Sequence, residues 1–364
     1  MNILYITYID LDGIGNSGSS VRPQKMYNAF KKLGVNIKLL ACQQNKVKER
    51  RKAVKNIIKW LDDQRPDICY IESPSGPIFS GIDLKLIRKI HRMNIPIGYF
   101  YRDAFWLFPE KQVGLRWWKR GIIRRMNIRA LHTIEKNCDI VYVPTASSRN
   151  LYRDFKFKKC ELLPPASDIV IRENIKSIYK YTCIYVGGVS YDYGTDILID
   201  AFKMLNKKDD KYRLILICRP TEYNSFFPEP LNYSWLNVVH AEGNELQKYY
   251  SEASIGIMPA HKTPYLNTAM SVKIFEYLGY GLPIISTDTT EMGKFIRENK
   301  VGLVCDDTPE SLAAAIEKFF NNCDKEALKK NVDAVAEQNS WVCRARQVID
   351  ELTRIKNENH STGN

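Results

Sequence analysis

The sequence predicts an α/β protein built from two parallel-sheet domains, and three observations lead there. Short β-rich runs alternate with longer helical stretches. The rhythm breaks once, at Pro164-Pro165-Ala166-Ser167-Asp168, and then restarts. A chain of 364 residues accommodates two domains, at roughly 100–200 residues for each.

In the first half, strands are expected at Asn2–Ile9, Val35–Ala41, Ile68–Glu72, Ile95–Tyr101, Asp139–Val143 and Glu161–Leu163. Helices are expected between them at Ser20–Leu33, Val47–Asp62, Asp83–Met93, Leu115–Asn137 and Ser147–Asp154. Such alternation makes a parallel sheet buried on both faces. Two prolines continue neither a ladder nor a helix, so the domains are expected at 1–165 and 166–340. The second half offers strands at Thr182–Val186, Arg213–Cys218, Val238–His240, Ile255–Pro259, Pro283–Thr287 and Gly302–Cys305. Its helices include Thr195–Leu205, Glu245–Ala253, Val272–Gly279 and Glu310–Phe320, and a last helix, Ser340–Asn357, has no strand after it.

Composition narrows the class. Apolar residues at 45% and charged residues at 26% are ordinary for a soluble globular chain. The first residues read as a strand rather than a signal peptide, and no apolar run approaches the ~18 residues of a membrane span. Nine cysteines without a C-x-x-C pair fit reduced thiols and argue against a zinc site, so a cytoplasmic protein is expected. The net charge of +13 is uneven: residues 1–165 hold 31 basic and 14 acidic side chains, the remainder 23 and 27. A strongly basic first half calls for an anionic partner.

The best candidate site is Ser271-Val272-Lys273-Ile274-Phe275-Glu276-Tyr277-Leu278-Gly279-Tyr280-Gly281-Leu282-Pro283. A buried strand, a polar loop and a helix start follow in order. Unpaired N–H groups at that start suit a diphosphate. Ser271 and Val272 open the helix, and Lys273 puts a cation in a first turn where the dipole disfavours one. Glu276 lies one turn on and is suited to accept ribose hydroxyls. The plainer alternative is an N-capped helix with a surface Lys273–Glu276 pair.

This stretch resembles the signature of retaining glycosyltransferases of family 4, whose nucleotide-binding helix reads S/P-x-K-x-F-E-Y-L-x-x-G-x-P. Other segments are similar in order: Asp10–Leu33 to the first glycine loop and helix, Leu163–Asp168 to the interdomain segment, Tyr185-Val186-Gly187-Gly188 to the opening of the donor domain, Gln247–Pro259 to its Y-x-x-A-D stretch, and Trp341 with its helix to the final one. The resemblance implies the GT-B architecture: two Rossmann-like domains facing across a cleft, with helix 341–358 rejoining the first. It also implies a donor nucleoside-diphosphate sugar, with UDP favoured, whose ribose Glu276 holds, and transfer with retention. The acceptor is expected to be a glycan or lipid-linked glycan of a cell-surface polysaccharide. No cofactor beyond the co-substrate is expected. The sequence departs from the pattern at Thr268, where a glutamate is usual, and at Gly188–Gly194, which lacks the usual diphosphate-binding arginine and lysine. Lys273 and Arg219 are the expected substitutes. A non-catalytic partner subunit of the same fold and a nucleotide-sugar epimerase remain as alternatives.

Three further features complete the expectation. Arg102-Asp103 follows a strand where the family carries a His-Asp pair, so Arg102 is expected at a phosphate and Asp103 at the acceptor hydroxyl. The loop with Gly13, Gly15 and Gly18, together with Arg22 in the following helix, is expected to approach a phosphate or the acceptor. Asp10-Leu11-Asp12 is read as loop polarity, and no metal is expected. Leu115–Arg129 mixes tryptophans and aliphatics with six basic residues. Its Arg116–Arg129 region is expected to meet an anionic membrane surface, placing the protein peripherally on the inner face of the plasma membrane. Nucleic acid is not expected, because no binding module accompanies the charge.

Overall fold

A computed structural model describes residues 1–11, 18–170 and 181–361. The chain divides into two compact units, Met1–Pro164 with Trp341–Asn364, and Pro165–Ser340.

The first unit runs β1 (Asn2–Thr7), α1 (Gly18–Lys32), β2 (Asn36–Ala41), α2 (Val47–Asp63), β3 (Ile68–Glu72), α3 (Gly81–Arg92), β4 (Ile97–Phe100), α4 (Trp117–Asn137), β5 (Ile140–Val143), α5 (Ala146–Asn150) and β6 (Cys160–Leu162). Its strands pair in parallel in the order β2-β1-β3-β4-β5-β6. Every residue of β3, β4 and β5 is buried, as a sheet covered on both faces requires. The order reverses at β1, so β1 and β3 flank the switch point where such sheets bind ligands.

The second unit runs β7 (Tyr181–Val186), α6 (Thr195–Leu205), β8 (Tyr212–Ile217), α7 (Pro220–Phe226), β9 (Leu236–Val239), α8 (Leu246–Glu252), β10 (Ile255–Met258), α9 (Val272–Gly279), β11 (Ile284–Thr287), α10 (Thr290–Asn299), β12 (Gly302–Cys305), α11 (Pro309–Asn322) and α12 (Lys325–Gln338). Its strand order, β12-β11-β10-β7-β8-β9, is the Rossmann order read from the other edge, with the switch point between β7 and β10. Residues alternate between two apolar layers. Cys183, Tyr185, Leu214 and Leu216 pack with Phe202, Ile316 and Phe319 on one side, and Ile184, Val186, Ile215 and Ile217 pack with Phe275, Tyr277 and Leu278 on the other.

The last helix, α13 (Trp341–Ser361), returns to the first unit. There Leu352 lies over Gly98 of β4, Glu351 accepts a hydrogen bond from the Tyr142 hydroxyl at 2.8 Å, and Lys356 pairs with Asp67. The expected strands and helices occur with ends shifted by a few residues, because caps and turns rather than periodicity set the ends.

Charge inside the first unit is satisfied by long-range partners. Arg50 of α2 is 1% exposed; its guanidinium donates to the Thr7 and Cys42 carbonyls at 2.6 and 2.7 Å and pairs with Asp83 of α3 at 2.8 Å. Burial still pushes the Asp83 carboxyl above the usual carboxylate range, with Arg50 opposing. Arg50→Leu strands a buried acid and two carbonyls. Denaturant unfolding is expected to show a loss of about 3–5 kcal/mol; an unchanged midpoint refutes this account of the α2–α3 junction.

Candidate functional site

The second unit builds its site at the β7/β10 switch point. Beyond β10 the chain passes through Pro259 and a turn at Leu266–Thr268 before Ser271 caps α9, its hydroxyl accepting from the Lys273 N–H at 3.2 Å. The loop after β7 comes close as well. A side chain at Gly194, whose φ is +66°, would collide with the Pro259 carbonyl, and only glycine permits that crossing.

Glu276 is held rather than free. Its Oε2 accepts from Lys273 Nζ at 2.7 Å and from the Tyr250 hydroxyl at 3.1 Å, and Oε1 has no hydrogen bond among the described residues. Lys273 and Glu276 are only partly covered, so Oε1 can receive a ligand hydroxyl. Burial, and then Glu276 itself, push Tyr250 well above the ordinary phenol range, which keeps its hydroxyl a donor. Tyr280 stacks on Tyr250 at 4.1 Å and fixes the ring. The Lys273–Glu276 pair expected as the plain alternative is therefore present, and it is part of a three-residue arrangement at a helix start.

Tyr277 locates this helix. Its hydroxyl accepts from the Val186 N–H at 3.1 Å and donates to the Ile257 carbonyl at 3.2 Å, tying α9 to both strands of the switch point. The ring fits because residue 256 is glycine: a Cβ there would lie 2.5 Å from it.

The other residues expected at the donor have local partners. Gly187 and Gly188 follow β7, where Tyr185 lies against the first and Tyr193 and Glu222 against the second, so packing accounts for both glycines. Arg219 occupies the N-cap position of α7 and pairs with Glu222 at 2.8 Å on the surface. His240 meets the Cys218 carbonyl at 2.8 Å, while His261 lies against Asp196 at 3.1 Å and under Tyr191.

In the first unit, Asp103 lines a cavity of about 160 Å³ beyond β3 and β4, with Ser73, Tyr101, Trp106, Lys111, Gln112 and Asn127. The Tyr101 hydroxyl donates to Asn127 Oδ1 at 3.2 Å and accepts from the Trp106 indole at 3.3 Å, so the aromatic wall is fixed in place. Aromatic faces beside a carboxylate and amides suit a polyhydroxylated ligand. Arg102 lies two residues beyond β4. Its N–H donates to Ser73 Oγ at 2.9 Å, and its guanidinium turns to Glu72, 3.8 Å away. Burial pulls Arg102 below the usual arginine range, with Glu72 opposing.

Arg22, in the helix after the glycine loop, is 4% exposed. It pairs with Glu72 at 3.0 Å, donates to the Leu163 and Pro164 carbonyls and lies 3.5 Å over the Phe100 ring. Two cations thus share one fully buried carboxylate at the end of β3. Gly18 begins α1, whereas Gly13, Gly15 and Asp12 lie outside the described residues. Asp10 pairs with Lys46 at 2.9 Å.

Sequence reasoning missed Tyr250, Asn127 and Glu72. Tyr250 opens the Y-x-x-A stretch noted above, and Glu72 stands as a lone acid closing an apolar strand.

Residues 180–322 match the model for glycosyl transferases group 1. The match lies wholly within the second unit and contains α9. A putative teichuronic acid biosynthesis glycosyltransferase, TuaH, of Bacillus subtilis (strain 168) is 29% identical over 109 residues, 30% of this chain and 28% of that protein. The alignment therefore spans under a third of that relative's length. Among solved structures, a glycosyltransferase from Rickettsia africae ESF-5 superposes with a TM-score of 0.66 at 13% identity, over 97% of this chain and 98% of its own. An α,α-trehalose-phosphate synthase (UDP-forming) from Burkholderia vietnamiensis gives 0.65 at 10% identity, over 98% and 97%. A trehalose-6-phosphate structure from E. coli bound with UDP-2-fluoro glucose gives 0.61 at 11% identity, over 97% and 99%. These likenesses show the GT-B fold.

Gly256→Ala presses a methyl into the Tyr277 ring and moves α9. It is expected to cost about 1–3 kcal/mol in denaturant unfolding. An unchanged stability contradicts the role given to this contact.

Proposed function

We propose that this protein is a glycosyltransferase that moves a sugar from a UDP-sugar to a glycan or lipid-linked glycan during cell-surface polysaccharide synthesis, with retention of configuration as in family 4. The observation that carries the reading is the α9 start, where Ser271, Lys273 and Glu276 stand beside the switch point of a Rossmann-order sheet. The group 1 domain match and the UDP-using neighbours of the same fold support it.

In this reading the amides of the first turn and Lys273 receive the diphosphate, and Glu276 takes the ribose hydroxyls. The amides and Lys273 stabilise the negative charge that develops on the departing nucleotide. Ligand binding replaces the Lys273–Glu276 pair, freeing Lys273 for phosphate. The Asp103 cavity receives the acceptor, whose hydroxyl Asp103 orients or deprotonates. The reaction as proposed uses no metal or further cofactor. Trp117, Trp118 and Ile122, all exposed among basic neighbours on α4, lay the protein on an anionic inner membrane surface; no described helix is long and apolar enough to cross a membrane.

Thermal unfolding against a panel of nucleoside diphosphates and their sugars tests the donor assignment. UDP or one UDP-sugar at 100 times its Kd is expected to stabilise the fold by about 2.7 kcal/mol without metal. Asp103→Asn is expected to keep that shift while lowering transfer to acceptor by roughly 10²–10⁴-fold. A panel without any shift overturns the donor site and favours the non-catalytic partner.

A further inference from the structure

A second basic feature lies apart from both sites. A groove of about 420 Å³ runs between α3 and α4, lined by Arg88, Arg125, Arg129, His132, Lys136 and Thr133, with Ile128 and Asn137 completing it. No carboxylate lines it. Glu135, on the same helix, is taken by His132 at 3.1 Å and by the Lys156 N–H. Arg88 donates to Thr133 Oγ1 at 3.2 Å, which fixes its guanidinium at the groove wall. Arg125, Arg129 and Lys136 have no ion pair among the described residues.

The helix spacing makes this arrangement costly without a ligand. Arg125 and Arg129 stand four residues apart on one face, where like charges repel, and Lys136 continues that face. The helix dipole favours a cation only in the last turn, which accounts for Lys136 and not for the two arginines. The same face continues upward through Ile122 and Trp118, which are 50% and 42% exposed. One stripe of α4 thus begins apolar and ends as a row of cations facing Arg88.

We propose that the α3–α4 groove is a binding site for phosphoryl groups, with Arg125, Arg129 and Arg88 as the donors and Lys136 as a further point charge. Guanidinium forks match phosphate oxygens in pairs. The groove is built from helix flanks and their carboxyl-terminal halves, whereas the donor and acceptor sites lie at strand ends, so this site does not depend on the donor assignment. It adds a second contact to the membrane reading of α4 when the phosphate belongs to a lipid headgroup, and a separate ligand site when it belongs to a soluble molecule.

The full chain, with UDP held at a high fixed concentration, would be titrated with vesicles of phosphatidylglycerol and phosphatidylcholine, with pure phosphatidylcholine vesicles, and with pyrophosphate. R125Q/R129Q would be compared with R51Q/K52Q, which removes the same charge from the exposed face of α2. Both pairs are exposed, and matched melting curves would show that folding is intact. The proposal expects at least a tenfold loss of binding in R125Q/R129Q and little change in R51Q/K52Q. If the loss appears with phosphatidylglycerol vesicles and pyrophosphate is inert, the source is a lipid headgroup; if it appears with pyrophosphate, the source is soluble. Equal losses in the two variants, or no binding of either probe by the wild type, overturn the site.

Discussion

The position of the candidate donor site depends on one tyrosine. Tyr277 is fully buried, and its hydroxyl bonds to backbone groups of both β7 and β10 while its ring occupies the space that Gly256 leaves. Those two strands flank the switch point, so a single side chain sets the distance between the sheet and the start of α9. Glu276 precedes Tyr277 by one residue and therefore points away from the core, onto Tyr250 and Lys273. The backbone groups that meet the helix are satisfied by the same hydroxyl.

The first unit meets a different constraint. It carries most of the net positive charge, and two of its arginines are buried outright. Arg50 is neutralised by Asp83 and two carbonyls, a closed arrangement with structural consequences only. Arg22 and Arg102 instead share Glu72 at the carboxyl end of β3, and Asp103 of the neighbouring cavity adds a second acid to the field at Arg102. The surface arginines of α4 extend the positive charge of the unit over its outside.

Much of this architecture was legible in the residues. Continuous apolar strands separated by amphipathic helices specify a parallel sheet, and Pro164-Pro165 falls where the chain passes from one unit to the next. Ser271, Lys273 and Glu276 were legible because a helix start is a local signal. The bond of Tyr250 to Glu276 was not, since it spans 26 residues and no periodicity encodes it. Arg22 reads as a cation in a first helical turn, and its partner Glu72, 50 residues away, draws it into the core. Arg219 follows β8 and pairs with Glu222 three residues later, a partner set by the turn into α7. Tyr185 and Tyr193 stand where a side chain at Gly187 or Gly188 would go, contacts that no local pattern announces. Local chemistry was readable; side-chain partners set by the tertiary fold were not.

The most direct test of the central claim is a calorimetric titration of UDP into the metal-free wild type and into Glu276→Ala. The wild type should bind, and the variant, having lost its hydrogen bonds to the ribose, should bind roughly a hundredfold more weakly. Equal affinity in the two proteins would contradict the assignment of α9 as the donor-binding helix.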